Sequence, residues 1–180
     1  MDHELEIATL GGGSFWCLEA VFQQVHGVRA VESGYTGGYV HHPTYRQVCE
    51  GDTGHAEVVR LTFDPATITF REILEIFFSI HDPTQLNRQG NDVGLQYRSI
   101  IFTHSEAQRA VAEYVMGELV ANKVFDAPIV TQLEPEQPYW RAEMSHQNYY
   151  QEHPAQGYCA FVITPKLAQF RRDFSHRMRR

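Results

Sequence analysis

The chain is 180 residues long, 43% hydrophobic and 21% charged, with a formal net charge of −7. That is the size and balance of a single domain, residues 1–180, with a full-sized core. The acidity excludes the basic footprint of a nucleic-acid binder, and no apolar run approaches the roughly 20 residues that cross a bilayer.

The start, Met1-Asp-His-Glu-Leu-Glu6, is acidic and lacks the apolar stretch of a signal peptide. Residues 5–10 read as a first strand. Gly11-Gly-Gly-Ser-Phe-Trp-Cys17 follows, at a turn into a helix over 16–25 that places Cys17, Leu18, Val21, Phe22 and Val25 on one stripe. A strand over 28–34 leads into the turn-rich Tyr35-Thr-Gly-Gly-Tyr39. Residues 58–63 are the clearest strand, ended by Asp64-Pro65. Thr69 with Glu72 predicts a capping box, and Ile68 with Ile73 its staple, opening a helix that buries Phe70, Ile73, Leu74, Phe77 and Phe78. A strand over 98–103 comes next. Ser105 with Gln108 then opens a helix to about residue 122, and strands are expected over 129–133 and 158–163. Pro165 suits a first helical position, with Leu167, Phe170 and Phe174 as the apolar face behind it. Arg171, Arg172, Arg177, Arg179 and Arg180 read as a solvated helix face or frayed tail.

Helices interleaved with short strands, too few to cover both faces of a sheet, predict an α+β two-layer sandwich. The expected topology is a ferredoxin-like core with a mixed sheet, extra helices and long loops. The loops at 35–57, 81–97 and 134–157 are long enough to be functional.

Glu57 is the most informative carboxylate. Alternation places it on the apolar face of Val59, Leu61 and Phe63, where desolvation would raise its pKa and let it donate a proton near neutrality. The alternative is a residue just outside the core, facing water. Cys17 lies in a first helical turn, which favours a thiolate, and equally suits a small buried hydrophobe. Cys49 has no obvious partner, and Cys159 starts an expected strand. Three widely spaced cysteines are no disulfide framework and point to a reducing cytoplasm. Aromatics crowd the glycine-rich loops: Phe15, Trp16, Tyr35, Tyr39, Tyr45, Tyr97, Tyr139 and Trp140. The spacings His146/His153 and Cys49/His55 match no zinc pattern, and no phosphate loop or dinucleotide fingerprint is present.

Taken together these segments resemble the A-type peptide methionine sulfoxide reductases over roughly residues 5–174. Nine motifs carry the resemblance, in order: Gly13-Ser-Phe-Trp-Cys17, Gly34-Tyr-Thr-Gly-Gly-Tyr39, Pro43-Thr-Tyr-Arg-Gln-Val-Cys49, Gly51-Asp-Thr-Gly-His-Ala-Glu57, His81-Asp-Pro83, Gln89-Gly-Asn-Asp-Val-Gly94, Gln96-Tyr-Arg-Ser99, His146-Gln-Asn-Tyr149 and Gly157-Tyr-Cys159. The resemblance implies reduction of methionine S-sulfoxide, free or in proteins, to methionine. A cysteine thiolate attacks the sulfoxide sulfur and becomes a sulfenic acid. A second cysteine then condenses with it, and thioredoxin reduces the disulfide. No metal or organic cofactor is implied, and the chain is expected to act as a monomer. Carried over by position, Glu57 matches the proton donor, and Tyr45 and Tyr97 the oxygen-binding hydroxyls. Asp92 matches a supporting polar group, and Phe15 and Trp16 the walls of the methyl pocket. Cys159 matches the resolving thiol, with Cys17 as the alternative because it stands three residues after position 14.

The departure is Ser14, where the family has the nucleophilic cysteine. An alcohol is a poor nucleophile toward sulfoxide sulfur and cannot become a sulfenic acid. The chain as written is therefore expected to be inactive. A deliberate Cys-to-Ser replacement is the most economical explanation, ahead of a naturally inactive homologue. A second class of function stays open: a module that binds methionine sulfoxide without reducing it.

Overall fold

The structure, a computed structural model, describes residues 4–179, so the first three residues of the acidic start and Arg180 lie outside it. Strand β1 (Glu6–Gly11) leads into helix α1 (Phe15–Phe22), β2 (Val28–Thr36), the short α2 (Tyr45–Cys49) and β3 (Ala56–Phe63). Helix α3 (Phe70–Ile80) follows, then a two-strand ribbon of β4 (Arg88–Gln89) and β5 (Asp92–Val93), and β6 (Ile100–Thr103). Helix α4 (Glu106–Ala121), β7 (Gln132–Pro135), β8 (Tyr139–Arg141), α5 (Tyr149–Glu152) and α6 (Thr164–Asp173) complete the chain.

The main sheet runs β7-β6-β1-β3-β2-β8. Every neighbouring pair is antiparallel except β6 with β7. Its central four strands are two interleaved units, β1-α1-β2 and β3-α3-β6, which is the expected ferredoxin-like order. The added edge strands β7 and β8 make the sheet mixed.

Alternation along β3 divides the two faces. Val59, Leu61 and Phe63 join Ala8, Leu10 and Ile101 in one core with the apolar stripes of α1, α3 and α6. Ala56 and Val58 point the other way, with Ile100 and Phe102, under Tyr139. There the Arg60 guanidinium lies 3.9 Å above the Tyr139 ring. The Thr69–Glu72 capping box forms at the start of α3, and Ile68, Ile73, Leu74 and Phe77 are fully buried.

One expectation fails and another holds only in part. Residues 158–163 do not form a strand. Cys159–Ile163 is a π-helical turn that runs straight into α6. The β-branched run there looks strand-like, but the residues that go inside are Cys159, Ile163, Leu167 and Phe170, a helical spacing. Pro165 explains the wide turn: it has no N–H to give and its ring crowds the preceding carbonyls, so the helix loosens to i→i+5 bonding just before it. The basic end holds in part: Arg171 and Arg172 lie exposed on α6, the expected solvated helix face, but the described residues beyond it are docked rather than frayed. Arg177 pairs with Glu72, Arg179 donates through its backbone N–H to Gln24 O at 2.8 Å, and His26 N–H donates to Arg177 O at 2.7 Å.

Candidate active site

The site begins where β1 turns into α1. Gly13 has φ +84°, and a Cβ there would sit 2.9 Å from the Gln89 side chain. A Cβ on Gly12 would meet the His81 ring at 2.9 Å. Only glycine fits both positions. The Gly13 N–H donates to Tyr97 O at 3.1 Å, which ties the turn to the segment carrying Tyr97. Ser14 is the N-cap of α1, and its hydroxyl accepts the Trp16 N–H at 3.2 Å. Its side chain is nearly buried, at the positive end of the helix dipole, where a developing anion would be stabilised.

Glu57 faces this helix start across the sheet. It is 1% exposed, and its Oε1 accepts the Phe15 N–H at 3.1 Å. Its Oε2 is buried and, among the described residues, meets no hydrogen-bond partner. Burial pushes its pKa up to about 8; the Phe15 N–H pulls the other way and the nearby Asp92 carboxylate adds to the rise. The buried alternative for Glu57 is the one the fold adopts. At neutral pH it is an acid with a proton to give.

Tyr45 and Tyr97 lie within electrostatic reach of Glu57. Burial first, and Glu57 next, raise both phenols, so both stay protonated donors. Tyr45 also hydrogen-bonds Cys49, one turn along α2, so that thiol does have a partner. Phe15 is fully buried, and its ring centre lies 6.1 Å from that of Tyr45 and 5.6 Å from that of Tyr35. Trp16 stacks on Tyr149 at 3.8 Å and lies 5.9 Å from Tyr45. Asp92, on β5, accepts the Tyr158 hydroxyl at 2.6 Å. Cys17 is buried one helical turn from Ser14, and Cys159 is buried in the π turn directly after Tyr158. Tyr39 and Trp140 are not part of this cluster: Tyr39 is largely exposed and Trp140 packs against His41 and His42.

Several members of the site escaped the sequence reading. Glu143 joins two aromatic elements, accepting the Tyr35 hydroxyl at 2.8 Å and the Tyr45 N–H at 2.9 Å. His146 accepts the Trp16 indole N–H at 3.1 Å and stacks on Tyr45 at 4.1 Å. The motif His146-Gln-Asn-Tyr149 was the available signal, but nothing in its spacing says that it folds back onto α1. Among the described residues no group of three or more His, Cys, Asp or Glu side chains is placed to hold a metal ion. A cleft of about 840 Å³ lies elsewhere, between α3, α4 and α6. It shares His81 and Gln89 with the back of the glycine turn and includes none of Ser14, Glu57, Tyr45 or Tyr97.

A family model described as peptide methionine sulfoxide reductase matches residues 6–178. The peptide methionine sulfoxide reductase MsrA of Ralstonia nicotianae is 62% identical over 178 residues, covering 97% of this chain and 93% of that protein. Among solved structures, Mxr1 from Saccharomyces cerevisiae in reduced form matches with a TM-score of 0.79 at 33% identity, over 88% of this chain and 92% of that one. Mxr1 in complex with Trx2 matches with a TM-score of 0.56 at 25% identity, over 83% of this chain and 89% of that one.

Proposed function

This chain belongs to the peptide methionine sulfoxide reductase family, and from that premise we propose that its site is built to reduce methionine S-sulfoxide, free or in proteins, and is silenced at one atom, the Ser14 oxygen. The observation that carries this reading is the bare, buried Oε2 of Glu57 beside the α1 N-terminus. A neutral carboxyl group there donates to a sulfoxide oxygen, with the Tyr45 and Tyr97 hydroxyls as further donors. Charge developing on that oxygen is met by preorganised donors in a desolvated site. Phe15 and Trp16 enclose the methyl group.

With sulfur at position 14, its lone pair attacks the sulfoxide sulfur, the oxygen transfers to the enzyme as a sulfenic acid, and methionine leaves. A second thiol of the chain then displaces the oxygen as water. Cys159, at the family position, and Cys17, one helical turn away, are the two candidates. A thioredoxin-type dithiol is the proposed reductant, a reading supported by the matching structure that contains Trx2. Three free cysteines fit a reducing cytoplasm, and the reaction needs no metal or organic cofactor. The chain is proposed to act as a monomer and a single domain.

Oxygen at position 14 leaves the binding groups in place and removes the nucleophile. The chain as written should bind methionine S-sulfoxide without turning it over. Ser14→Cys is the test. Thioredoxin-dependent turnover supports a reductase scaffold with a substituted nucleophile. Unchanged inactivity with intact binding supports the second reading, a sulfoxide-binding module.

A further inference from the structure

Closing a disulfide needs a thiolate, and burial pushes both Cys17 and Cys159 up. Their surroundings differ. Burial alone acts on the Cys159 thiol, and no hydrogen-bond partner is recorded for its sulfur among the described residues. The Cys17 sulfur lies 3.5 Å from the Tyr158 hydroxyl, which lies 2.6 Å from Asp92 Oδ2. Tyr158 donates its proton to Asp92, which leaves its oxygen free to accept the Cys17 S–H. Asp92 is half-exposed on β5, so the line runs from a buried thiol to a carboxylate in contact with water.

We infer that Cys17, Tyr158 and Asp92 form a proton relay that makes Cys17 the thiol closing the first disulfide. The inference rests on the reductase reading above and concerns the chain with sulfur at position 14. The Cys17 proton passes to the Tyr158 oxygen as the Tyr158 proton passes to Asp92. The Cys17 lone pair then attacks the sulfenic sulfur at position 14. The S–S bond forms, the S–O bond breaks, and hydroxide leaves and regains a proton as water. The two sulfurs are oxidised to the disulfide at the expense of the oxygen already transferred from the substrate.

Lys166 helps the Cys17 thiolate, whereas Asp92 and Glu57 oppose it. Once Asp92 holds the relayed proton, its opposition is gone. Negative charge then moves from a half-exposed carboxylate to a buried sulfur, a move that burial opposes and Lys166 partly offsets. The reach is short. Residues three apart on a helix keep their Cβ atoms about 5–6 Å apart, and a disulfide needs about 3.5–4.5 Å. Position 14 is the N-cap, with extended backbone (φ −66°, ψ 134°), so it can close that gap without unwinding α1.

The experiment bypasses the sulfoxide. Ser14→Cys, Ser14→Cys/Tyr158→Phe and Ser14→Cys/Asp92→Asn each receive one equivalent of hydrogen peroxide, which makes the sulfenic acid directly. Timed quenching and peptide mapping follow, with a 1,3-diketone to trap sulfenic acid. The first crosslink should join positions 14 and 17. It should form at least tenfold more slowly in both relay variants, with trapped sulfenic acid during the delay. Crosslinking first to Cys159 while Cys17 stays open to alkylation, or equal rates in all three proteins, would overturn the relay. Absence of methionine formation from sulfoxide, with the peroxide-driven crosslink as described, would count against the reductase reading alone.

Discussion

A carboxyl group with one oxygen bonded and the other bare is stable in an apolar site only while it keeps its proton. For Glu57 that sets two pH dependences. Its pKa rises on folding from 4.5 to about 8, so the stability linked to its proton is fully present below about pH 4.5 and is lost as pH climbs from there through about 8. Glu57→Gln keeps the shape and cannot ionise. It should melt close to the parent at pH 4 and increasingly above it as pH rises, the gap levelling off above about pH 8 at a few kcal/mol, at about 1.4 kcal/mol per tenfold change. In the Ser14→Cys background the same replacement should cut single-turnover rate by about 100-fold at pH 7. The parent rate should itself fall as pH rises through about 8. A flat pH profile would mean that another group supplies the proton. Trp16 acts on specificity: Trp16→Ala removes the ring stacked on Tyr149, and should raise KM for methyl sulfoxides about tenfold with little change in kcat. Indifference to that change would make the indole a packing residue only. Alternation put Glu57 on the apolar face but left a water-facing position open, and the family resemblance decided between them. Glu143 and His146 were not legible, because each acts through partners about 100 or more residues away, a separation that no local pattern encodes.

At the scale of elements, the glycine turn is where backbone and chemistry meet. Gly12→Ala would drive a methyl group into the His81 ring, which is buried and hydrogen-bonded to Ser99 at 2.8 Å and so cannot easily yield. The expected cost is about 1–3 kcal/mol in urea unfolding, from overpacking. An unchanged midpoint would show that the turn has slack. Helices with strong local signals were read closely: α3 with its capping box and α4 with its Ser105 cap begin where the sequence places them. The segment from residue 158 was misread because β-branched residues suit a strand, and the helical stripe that overrides them becomes visible only when it is followed past Pro165 into α6. The three-residue β8 and the two-residue strands of the β4–β5 ribbon are too short to show any periodicity.

Across the whole molecule, the two interleaved β-α-β units place the end of β1 and the start of β3 side by side, which brings the α1 N-terminus against Glu57. The long loops then fold over that junction from three parts of the chain. The C-terminal tail closes the far end of α1, where Met178 bridges Val25 and Arg177 meets Glu72. Truncation after residue 173 removes these contacts and the Phe174 ring against Phe170, and should lower Tm by several degrees without abolishing sulfoxide binding. An unchanged Tm would return the tail to the frayed state that its charge pattern suggests. The core order of four strands was legible because each strand and helix carries its own period. The edge strands and the docked tail depend on long-range pairing and were not.

The most direct measurement is a single turnover without reductant. Ser14→Cys, mixed with excess methionine S-sulfoxide, should release close to one methionine per chain and lose free thiols, while the chain with Ser14 releases none. No methionine from the cysteine protein, despite bound sulfoxide and a correctly folded site, would contradict the account at its centre.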